Sequence, residues 1–314
     1  MDKKIKDILY NTRKEKNLTR NQVCGNLLSE NEYRNIETGK MEGNVWILRQ
    51  LLGRLKIPES SVVFYLGTKE NDMINLEIEI YRRIMVWNYR EAEEKLEKFF
   101  NWMDKDDTIQ GMIYYRLFFL VYRKRIEKEK IDAIKEEIKN IIYYIENRLQ
   151  KRELLSTDEL AILTEYYATI FCNSKEQSIK LYEIIDYYKT EYLGLEGRNK
   201  FYAQLSFYYA QNQYSLEQYQ NCMENCKEGL KVTFIFGNCN NTAELFELLA
   251  DAKGKLLQKS NSLNETYNKS QIEEIIQNYR VAYDIYSLLY CDSVKEQKET
   301  LMEKITIWKT MILE

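Results

Sequence analysis

Four polar residues of types that recognise nucleotide bases lie close together near the start of the chain: Ser29, Glu30, Asn31 and Arg34. Arginine pairs well with guanine, asparagine with adenine, and glutamate can accept a hydrogen bond from cytosine. If these residues share the outward face of one short helix, their side chains can enter the major groove together. We predict that they contact DNA bases; the alternative is that they are simply solvated polar positions.

Phosphate contacts are predicted at nearby helix ends, at Thr19, Arg20 and Lys40, because helix ends and cations hold phosphate oxygens. The charge distribution supports this prediction. Residues 1–66 contain 12 lysines and arginines against 8 aspartates and glutamates, a net charge of +4, whereas the whole chain carries −3 and the remainder therefore −7. A positive first segment favours contact with phosphate, and an acidic remainder does not.

The helices that would position these residues are predicted from apolar periodicity and capping residues. A first helix is expected over residues 2–16. Thr19 is a good N-cap for a second helix, and Ser29 with Glu32 three residues later forms a capping box for a third. Gly39 can adopt the left-handed conformation that ends the third helix.

Two more helices are predicted in the same segment. Apolar residues recur at helical spacing from Val45 to Leu55, and a fifth helix is expected at about 59–66, after Pro58 breaks the chain. Pro58 is the only proline, so the rest of the sequence permits a nearly all-helical structure.

Helical hairpins are predicted to repeat through the remainder of the chain. Their starts are 35 to 50 residues apart, a period typical of stacked hairpins that cannot bury their apolar faces alone. The expected pairs are 72–87 with 90–103, 107–127 with 131–149, 157–172 with 175–190, 198–212 with 215–232 and 241–258 with 271–290, followed by a closing helix at 294–313.

Composition argues against several classes of function. The chain has no histidine, which removes the commonest general base and zinc ligand, and no glycine-rich phosphate motif. Cys222 and Cys226 are interpreted as small residues packed in a helix rather than a metal pair. We therefore expect no enzyme, metal or cofactor. No apolar run suits a signal peptide or a membrane span, so a cytoplasmic protein without membrane contact is expected.

The first segment resembles the lambda-repressor-like (XRE) helix-turn-helix family. The resemblance rests on Arg13, on Leu18-Thr19-Arg20-Asn21-Gln22 and on Glu37-Thr38-Gly39. The distance from Leu18 to Glu37 is one residue shorter than in the commonest version, which looks like the Rgg and PlcR branch. The resemblance implies an ion pair between Arg13 and Glu37. Arg20 and Arg34-Asn35 depart from the usual residues, so the DNA sequence that is read can differ.

The helical hairpins resemble degenerate tetratricopeptide repeats. The fourth pair shows this best, with large residues at Tyr202, Leu205, Tyr209 and Tyr214 and the small Ser206 between them. Together the two parts look like a quorum-sensing regulator of the Rgg/PlcR (RRNPP) type. That resemblance implies an all-α fold, with a helix-turn-helix domain at 1–66 and a right-handed tetratricopeptide-like α-solenoid at 71–314.

Such a regulator is expected to bind a short signalling peptide in the concave face of its repeats. The resemblance assigns the peptide backbone to asparagines on inner helices, here Asn199 and Asn241, because an amide side chain both donates and accepts. Tyr115, Tyr166 and Tyr202 are the candidate inner-helix tyrosines. For most of the 26 tyrosines, however, packing in the core is sufficient explanation.

The predicted function is therefore a peptide-responsive transcription regulator that binds a palindromic operator as a homodimer. The alternative is a protein-interaction module of tetratricopeptide type with a weak or vestigial DNA-binding head. For the C-terminal hairpin and closing helix, two roles are left open: a contact between subunits, or a cap on one chain. The residues concerned are Tyr283, Tyr286, Leu289 and Trp308.

Overall fold

A computed structural model describes most of the chain. The described residues are 5–62, 64, 66–122, 128–192, 200–236, 241–261, 269–288 and 294–313. Within these ranges every regular element is a helix and no strand occurs, so the prediction of an all-α fold is confirmed.

Four helices form the head. They are α1 (Ile5–Glu15), α2 (Arg20–Cys24), α3 (Glu30–Thr38) and α4 (Val45–Arg54). Each begins and ends within a few residues of the predicted position, because the capping residues that mark the ends of α2 and α3 are local signals.

The predicted fifth helix at 59–66 is wrong. Among the residues described between Pro58 and residue 68, the only regular element is a single 3-10 turn, Glu59–Ser61, and Val62 is already extended with φ −129°. The hydroxyl of Ser61 donates to the Pro58 carbonyl at 2.6 Å, which closes the turn locally. Val62 follows this turn, and its branched side chain disfavours a continuing helix.

Eleven further helices follow in the described part of the chain. They are α5 (Thr68–Met85), α6 (Tyr89–Trp102), α7 (Thr108–Tyr122), α8 (Lys128–Gln150), α9 (Thr157–Ile170), α10 (Lys175–Glu191), α11 (Lys200–Ser215), α12 (Tyr219–Phe236), α13 (Thr242–Asn261), α14 (Lys269–Leu288) and α15 (Lys295–Leu313). These correspond one to one with the predicted helices. The tetratricopeptide character of the pairs stays a prediction.

The chain divides into two compact units. The first comprises Met1–Ile84 and Tyr89–Ile170, and the second comprises Met85–Asn88 and Phe171–Glu314. The head therefore shares its unit with α6 to α9 and most of α5. The predicted division of the chain at residues 66 to 71 stays a prediction.

The head has a small apolar core of its own within the first unit. Leu9 of α1, Val23 of α2, Tyr33 of α3 and Leu51 of α4 are fully buried there. Leu154, which lies between α8 and α9, packs against the same cluster. The head is thus completed by a residue of the helical body.

The second unit has its core between α13, α14 and α15. Tyr286 and Trp308 are 2% and 6% exposed in this cluster, so both contribute to the packing of one chain. This favours the capping role for the closing helix. Leu289, the other large apolar residue of that prediction, lies outside the described residues. Tyr283 is partly buried and packs against the cluster.

The two cysteines one turn apart on α12 are packed in the interior. Cys222 and Cys226 are both fully buried and unbridged. The pKa of the Cys226 thiol is raised by its hydrogen bond with Cys222 and by burial. The predicted packing role is confirmed.

Candidate functional site

Two capping boxes fix the starts of α2 and α3. The Thr19 hydroxyl accepts from the Gln22 amide at 3.2 Å, and the Gln22 side chain accepts from the Thr19 amide at 2.8 Å. Ser29 and Glu32 repeat this arrangement at 3.2 and 2.8 Å. The hydrogen bonds from Ser29 hold the pKa of the Glu32 carboxyl below its usual value. Helix starts anchored in this way have a defined direction.

The outer face of α3 presents the predicted base-contacting side chains. Glu30, Asn31 and Arg34 are all exposed, whereas Tyr33 and Ile36 point into the head core. Residues i and i+4 of a helix lie on one side, and residue i+1 lies about 100° round the axis, so the three exposed side chains share the outer half of α3. Their contact with bases stays a prediction.

The residues predicted to hold phosphates lie in different environments. Thr19 and Lys40 are exposed, Thr19 at the start of α2 and Lys40 just after the left-handed Gly39 (φ 70°) that ends α3. Arg20 is instead engaged with the protein. Its Nε donates to Glu37 Oε2 at 2.8 Å, and its side chain remains 29% exposed.

Glu37 is the centre of a buried ion cluster beneath α2 and α3. Arg13 Nε donates to Glu37 Oε1 at 2.5 Å and Arg13 Nη2 donates to Oε2 at 3.0 Å, which confirms the expected ion pair. Burial raises the pKa of the Glu37 carboxyl, but hydrogen bonds from Arg13 and Arg20 outweigh burial and leave that pKa below its ordinary value. The carboxylate is therefore charged at neutral pH and ties α3 to α1 and α2.

Arg54 links the head to α8 and α9, and sequence reasoning missed it. This α4 side chain is fully buried, and its five N–H groups all donate. Two bonds reach Glu159 at 3.1 and 2.5 Å, and one reaches the Tyr144 hydroxyl at 3.1 Å. The other two, at 3.0 and 2.6 Å, satisfy the carbonyls of Val23 and Cys24 at the end of α2.

The charged form of the Arg54–Glu159 pair is strongly favoured. Burial by itself would lower the pKa of Arg54 and raise that of Glu159. The opposite charge of the partner outweighs burial in each case, so the pKa of Arg54 lies above its usual value and that of Glu159 below. Glu159 also completes a capping box with Ser156 at the start of α9, and the spacing of these two residues is a local signal by which it could have been found.

The turn between α2 and α3 lies directly against α8. Gly25 has φ 50° and ψ −127°, a conformation suited to glycine. A Cβ added there would lie 2.2 Å from Arg148 Nη1 and 2.6 Å from the Tyr144 hydroxyl. That hydroxyl accepts from the Asn26 amide at 2.9 Å, and Arg148 donates to the Gln22 carbonyl at 3.3 Å.

A second polar row connects α4 with α5, α7 and α9. Gln50 donates to Asp158 at 3.0 Å, and Arg116 of α7 donates to the same carboxylate at 2.7 Å. Arg49 donates to Glu77 of α5 at 2.7 Å. The hydrogen-bonded partners in this row are 28 to 108 residues apart, so no single stretch of sequence predicts their pairing.

The predicted peptide-binding residues lie in both units. In the first, Tyr115 is 8% exposed on α7, and Tyr166 is half-buried on α9 with its ring 6.2 Å from that of Phe119. Burial and a hydrogen bond with Glu137 raise the pKa of Tyr115. Both tyrosines therefore belong to the aromatic packing between α7 and its neighbours.

In the second unit, Tyr202 is only 1% exposed and its ring lies 5.6 Å from that of Tyr188. Its ring is thus part of the core and not of an accessible surface. Asn241 is partly exposed just before α13, in a left-handed conformation with φ 55°. Its backbone carbonyl accepts from the Leu245 amide at 2.9 Å, in the first turn of α13. Asn199 lies outside the described residues.

Two other features are absent from the described part of the chain. No group of three or more cysteine, aspartate or glutamate side chains converges there in a way that could hold a metal ion. No helix there is long and apolar enough to cross a membrane.

Solved structures are similar to this chain, although no protein-family model and no curated protein sequence matches it. PlcR from Bacillus thuringiensis, solved in complex with the peptide PapR7 and DNA, superposes with a TM-score of 0.54 over 95% of this chain and 98% of PlcR, at 14% identity. This chain has the fold of PlcR. The resemblance inferred from the sequence is thereby confirmed at the level of the fold.

Two ComR structures are also similar to the chain. Apo ComR from Streptococcus vestibularis matches with a TM-score of 0.49 and 14% identity, over 97% of each chain. ComR from S. thermophilus, in complex with DNA and its signalling peptide ComS, matches with a TM-score of 0.47 and 17% identity, over 98% of this chain and 100% of that one.

Proposed function

We propose that this chain is a DNA-binding transcription regulator of the Rgg/PlcR type. The observation that carries the proposal is the exposed polar face of α3, with Glu30, Asn31 and Arg34 directed away from a head that a buried ion cluster holds together. A helix so anchored can insert its first turns into the major groove without losing the packing beneath it. PlcR, which has the same fold over nearly its whole length, was solved on DNA.

Contacts with the phosphate backbone of DNA would position α3. Thr19 and Lys40 are exposed at helix ends on the same head and are suited to phosphate oxygens. Arg20 has a double role in this proposal. It neutralises Glu37 from within the head, and the 29% of its side chain that is exposed can approach a phosphate. The protein acts as a homodimer on a palindromic site, since one head contacts few bases.

The helical body is proposed to bind a short signalling peptide. Support comes from PlcR, whose structure contains the peptide PapR7. Asn241 and Tyr166 are the proposed contacts that retain exposed surface, and Asn199 is a further candidate from the sequence. Tyr115 is nearly buried and would contribute only the edge of its ring. We propose no catalytic activity and no cofactor.

Peptide binding can affect the position of α3 only by changing the populations of two arrangements of the chain. The contacts of α8 with the turn between α2 and α3 offer a physical route. Tyr144 contacts that turn at Asn26 and Arg148 contacts α2 at Gln22, so a shift of α8 would move the end of α2 and the turn with it. The peptide must bind one arrangement more tightly than the other.

The proposal is tested by selecting binding sites from a pool of random duplex DNA with the full chain. We expect a palindromic consensus, bound with an affinity that falls steeply as salt rises, because each phosphate contact releases counterions. Arg34→Ala should lose discrimination at one position, whereas Arg90→Ala, which alters an exposed arginine of α6, should not. Selection of no sequence, together with retained peptide binding, would favour the interaction-module alternative.

The peptide component needs its own measurement. With the cognate peptide, calorimetry should show that Asn241→Ala weakens binding about ten- to a hundredfold, the cost of stranding a peptide amide. DNA binding without peptide should be unchanged. Unaltered peptide affinity would exclude Asn241 from the site.

A further inference from the structure

A lysine of α1 packs across Gly39, the residue that ends α3. A Cβ added at Gly39 would lie 2.8 Å from Lys6 Cδ and 3.0 Å from Lys6 Nζ, so the stem of Lys6 crosses the glycine backbone and its ammonium group lies beside it. Gly39 is left-handed, with φ 70°, and the exposed Lys40 follows it directly. Lysines from two separate segments of the sequence are thus brought to the same end of α3.

The ammonium group of Lys6 lies at the edge of the head. Lys6 is half-buried and the next residue, Asp7, is exposed. Asp7 lies about 100° further round α1, and among the described residues no carboxylate forms an ion pair with Lys6. The carbonyls of Asn35 and Ile36 near the end of α3 already accept from the backbone amides of residues 39 to 41, so capping of α3 does not depend on this lysine.

The end of α3 is where the DNA backbone would pass in the proposed complex. The helix has 9 residues, a length of about 13 Å at about 1.5 Å each, and the major groove of DNA is about 12 Å wide. With the first turn of α3 at the base edges, its last turn therefore reaches the rim of the groove, where phosphates lie. A lysine there offers a compact positive charge and three hydrogen-bond donors.

We propose that Lys6 contacts a DNA phosphate beside the end of α3, next to the contact proposed for Lys40. This inference rests on the proposed DNA-binding function and adds α1 to the DNA interface. The contact would help to set the position of α3 in the groove without reading a base, because phosphate contacts carry no direct sequence information.

Salt dependence tests the contact. The full chain is titrated with the selected operator and with an unrelated duplex of the same length, over a series of salt concentrations. Each neutralised phosphate contributes about 0.9 to the slope of the logarithm of affinity against the logarithm of salt concentration. Lys6→Gln keeps the stem across Gly39 but removes the charge, so the slope should fall by about 0.9 on both duplexes. At about 0.15 M salt, this change corresponds to a loss of affinity of about fivefold.

Two further variants separate the charge of Lys6 from its packing. Lys6→Arg keeps the cation and should retain the slope of the native protein. Lys98→Gln removes an exposed lysine of α6 and is the matched control for the loss of one positive charge, so its slope should also equal that of the native protein.

Uncharged backbone positions locate the contact on DNA. A methylphosphonate at one position of the operator should weaken binding of the native protein but should not weaken Lys6→Gln further. This comparison decides the question even if Lys6→Gln lowers the thermal stability of the head, because each protein is compared with itself on unmodified DNA.

The outcomes separate this inference from the function on which it rests. A native slope for Lys6→Gln, or a loss of affinity confined to the operator, overturns the phosphate contact and leaves the DNA-binding function standing. Failure of the native chain to bind either duplex in a salt-dependent way overturns the proposed function, and the phosphate contact with it.

Discussion

Replacement of Arg54 by methionine tests how firmly the head is held to the body. Methionine keeps much of the stem volume but removes all five donated hydrogen bonds and leaves Glu159 as a buried carboxylate without its cation. Breaking one partner of a buried ion pair costs about 3–5 kcal/mol. Since the pair is 0% and 1% exposed at the two side chains, screening by solvent does not reduce this cost.

Urea denaturation followed by circular dichroism measures the loss directly. Arg54→Met should lower the free energy of unfolding of the first unit by about 3–5 kcal/mol at pH 7. The control Arg90→Met, which removes an arginine whose side chain is 91% exposed, should change it by less than about 0.5 kcal/mol. Adding Glu159→Gln to Arg54→Met should recover part of the loss, because the stranded charge is gone while a capping side chain remains on α9.

The effect should depend on pH in a defined direction. The folded-state pKa of Glu159 is lowered in the native protein, so its contribution to stability is present above its unfolded pKa and is lost as pH falls through the folded pKa. In Arg54→Met, burial raises the pKa of the Glu159 carboxyl instead of leaving it lowered. As pH falls, protonation of this carboxyl removes the buried charge and reduces the destabilisation of the variant. The difference in stability between the native protein and Arg54→Met should therefore shrink in acid. A difference below about 1 kcal/mol at pH 7, or one that grows in acid, would refute the reasoning.

Three further predictions concern the head. Arg34→Ala should cost about 1–3 kcal/mol in operator binding and relax preference at one base pair, as measured by titration at fixed salt; equal affinity would show that Arg34 reads no base. Glu37→Ala leaves the cations of Arg13 and Arg20 without their partner and should destabilise the head by about 3–5 kcal/mol, enough to unfold it. Hydrogen exchange should then show loss of amide protection in α1 to α3, while α13 to α15 keep theirs. Retained protection in α1 to α3 would contradict this prediction. Gly25→Ala should cost about 1–3 kcal/mol, because φ 50° with ψ −127° strains an alanine and its Cβ meets Arg148; a thermal midpoint equal to that of the native protein would exclude this strain.

Local signals were enough to predict most of the helices. The capping pairs Thr19 with Gln22 and Ser29 with Glu32 act within four residues, so the ends of α2 and α3 follow from neighbouring residues alone. Apolar periodicity located the eleven helices of the body, since each must bury one face whatever its partner is. The prediction failed for the fifth helix of the head, where the described residues after Pro58 form one 3-10 turn and Val62 is already extended.

The ion cluster of the head was predictable only in part. The pair of Arg13 with Glu37 followed from the resemblance, and the structure confirms it. That Arg20 joins the same carboxylate was not predicted, because its position at the start of α2 is equally suited to a phosphate contact. Only the packing of α2 against α3 decides which acceptor the guanidinium reaches.

Only the tertiary structure decided how the head is attached. Arg54 and Glu159 are 105 residues apart, and nothing in the intervening sequence sets their distance. Their pairing requires α4 to lie against α9, with Tyr144 of α8 bonded to Arg54, and that packing is a property of the whole unit. The same holds for Tyr202, whose periodicity fits a core and a binding face equally well; its burial against Tyr188 decides for the core. The sequence specifies which helix faces must be buried, and the tertiary structure determines which residues bury them.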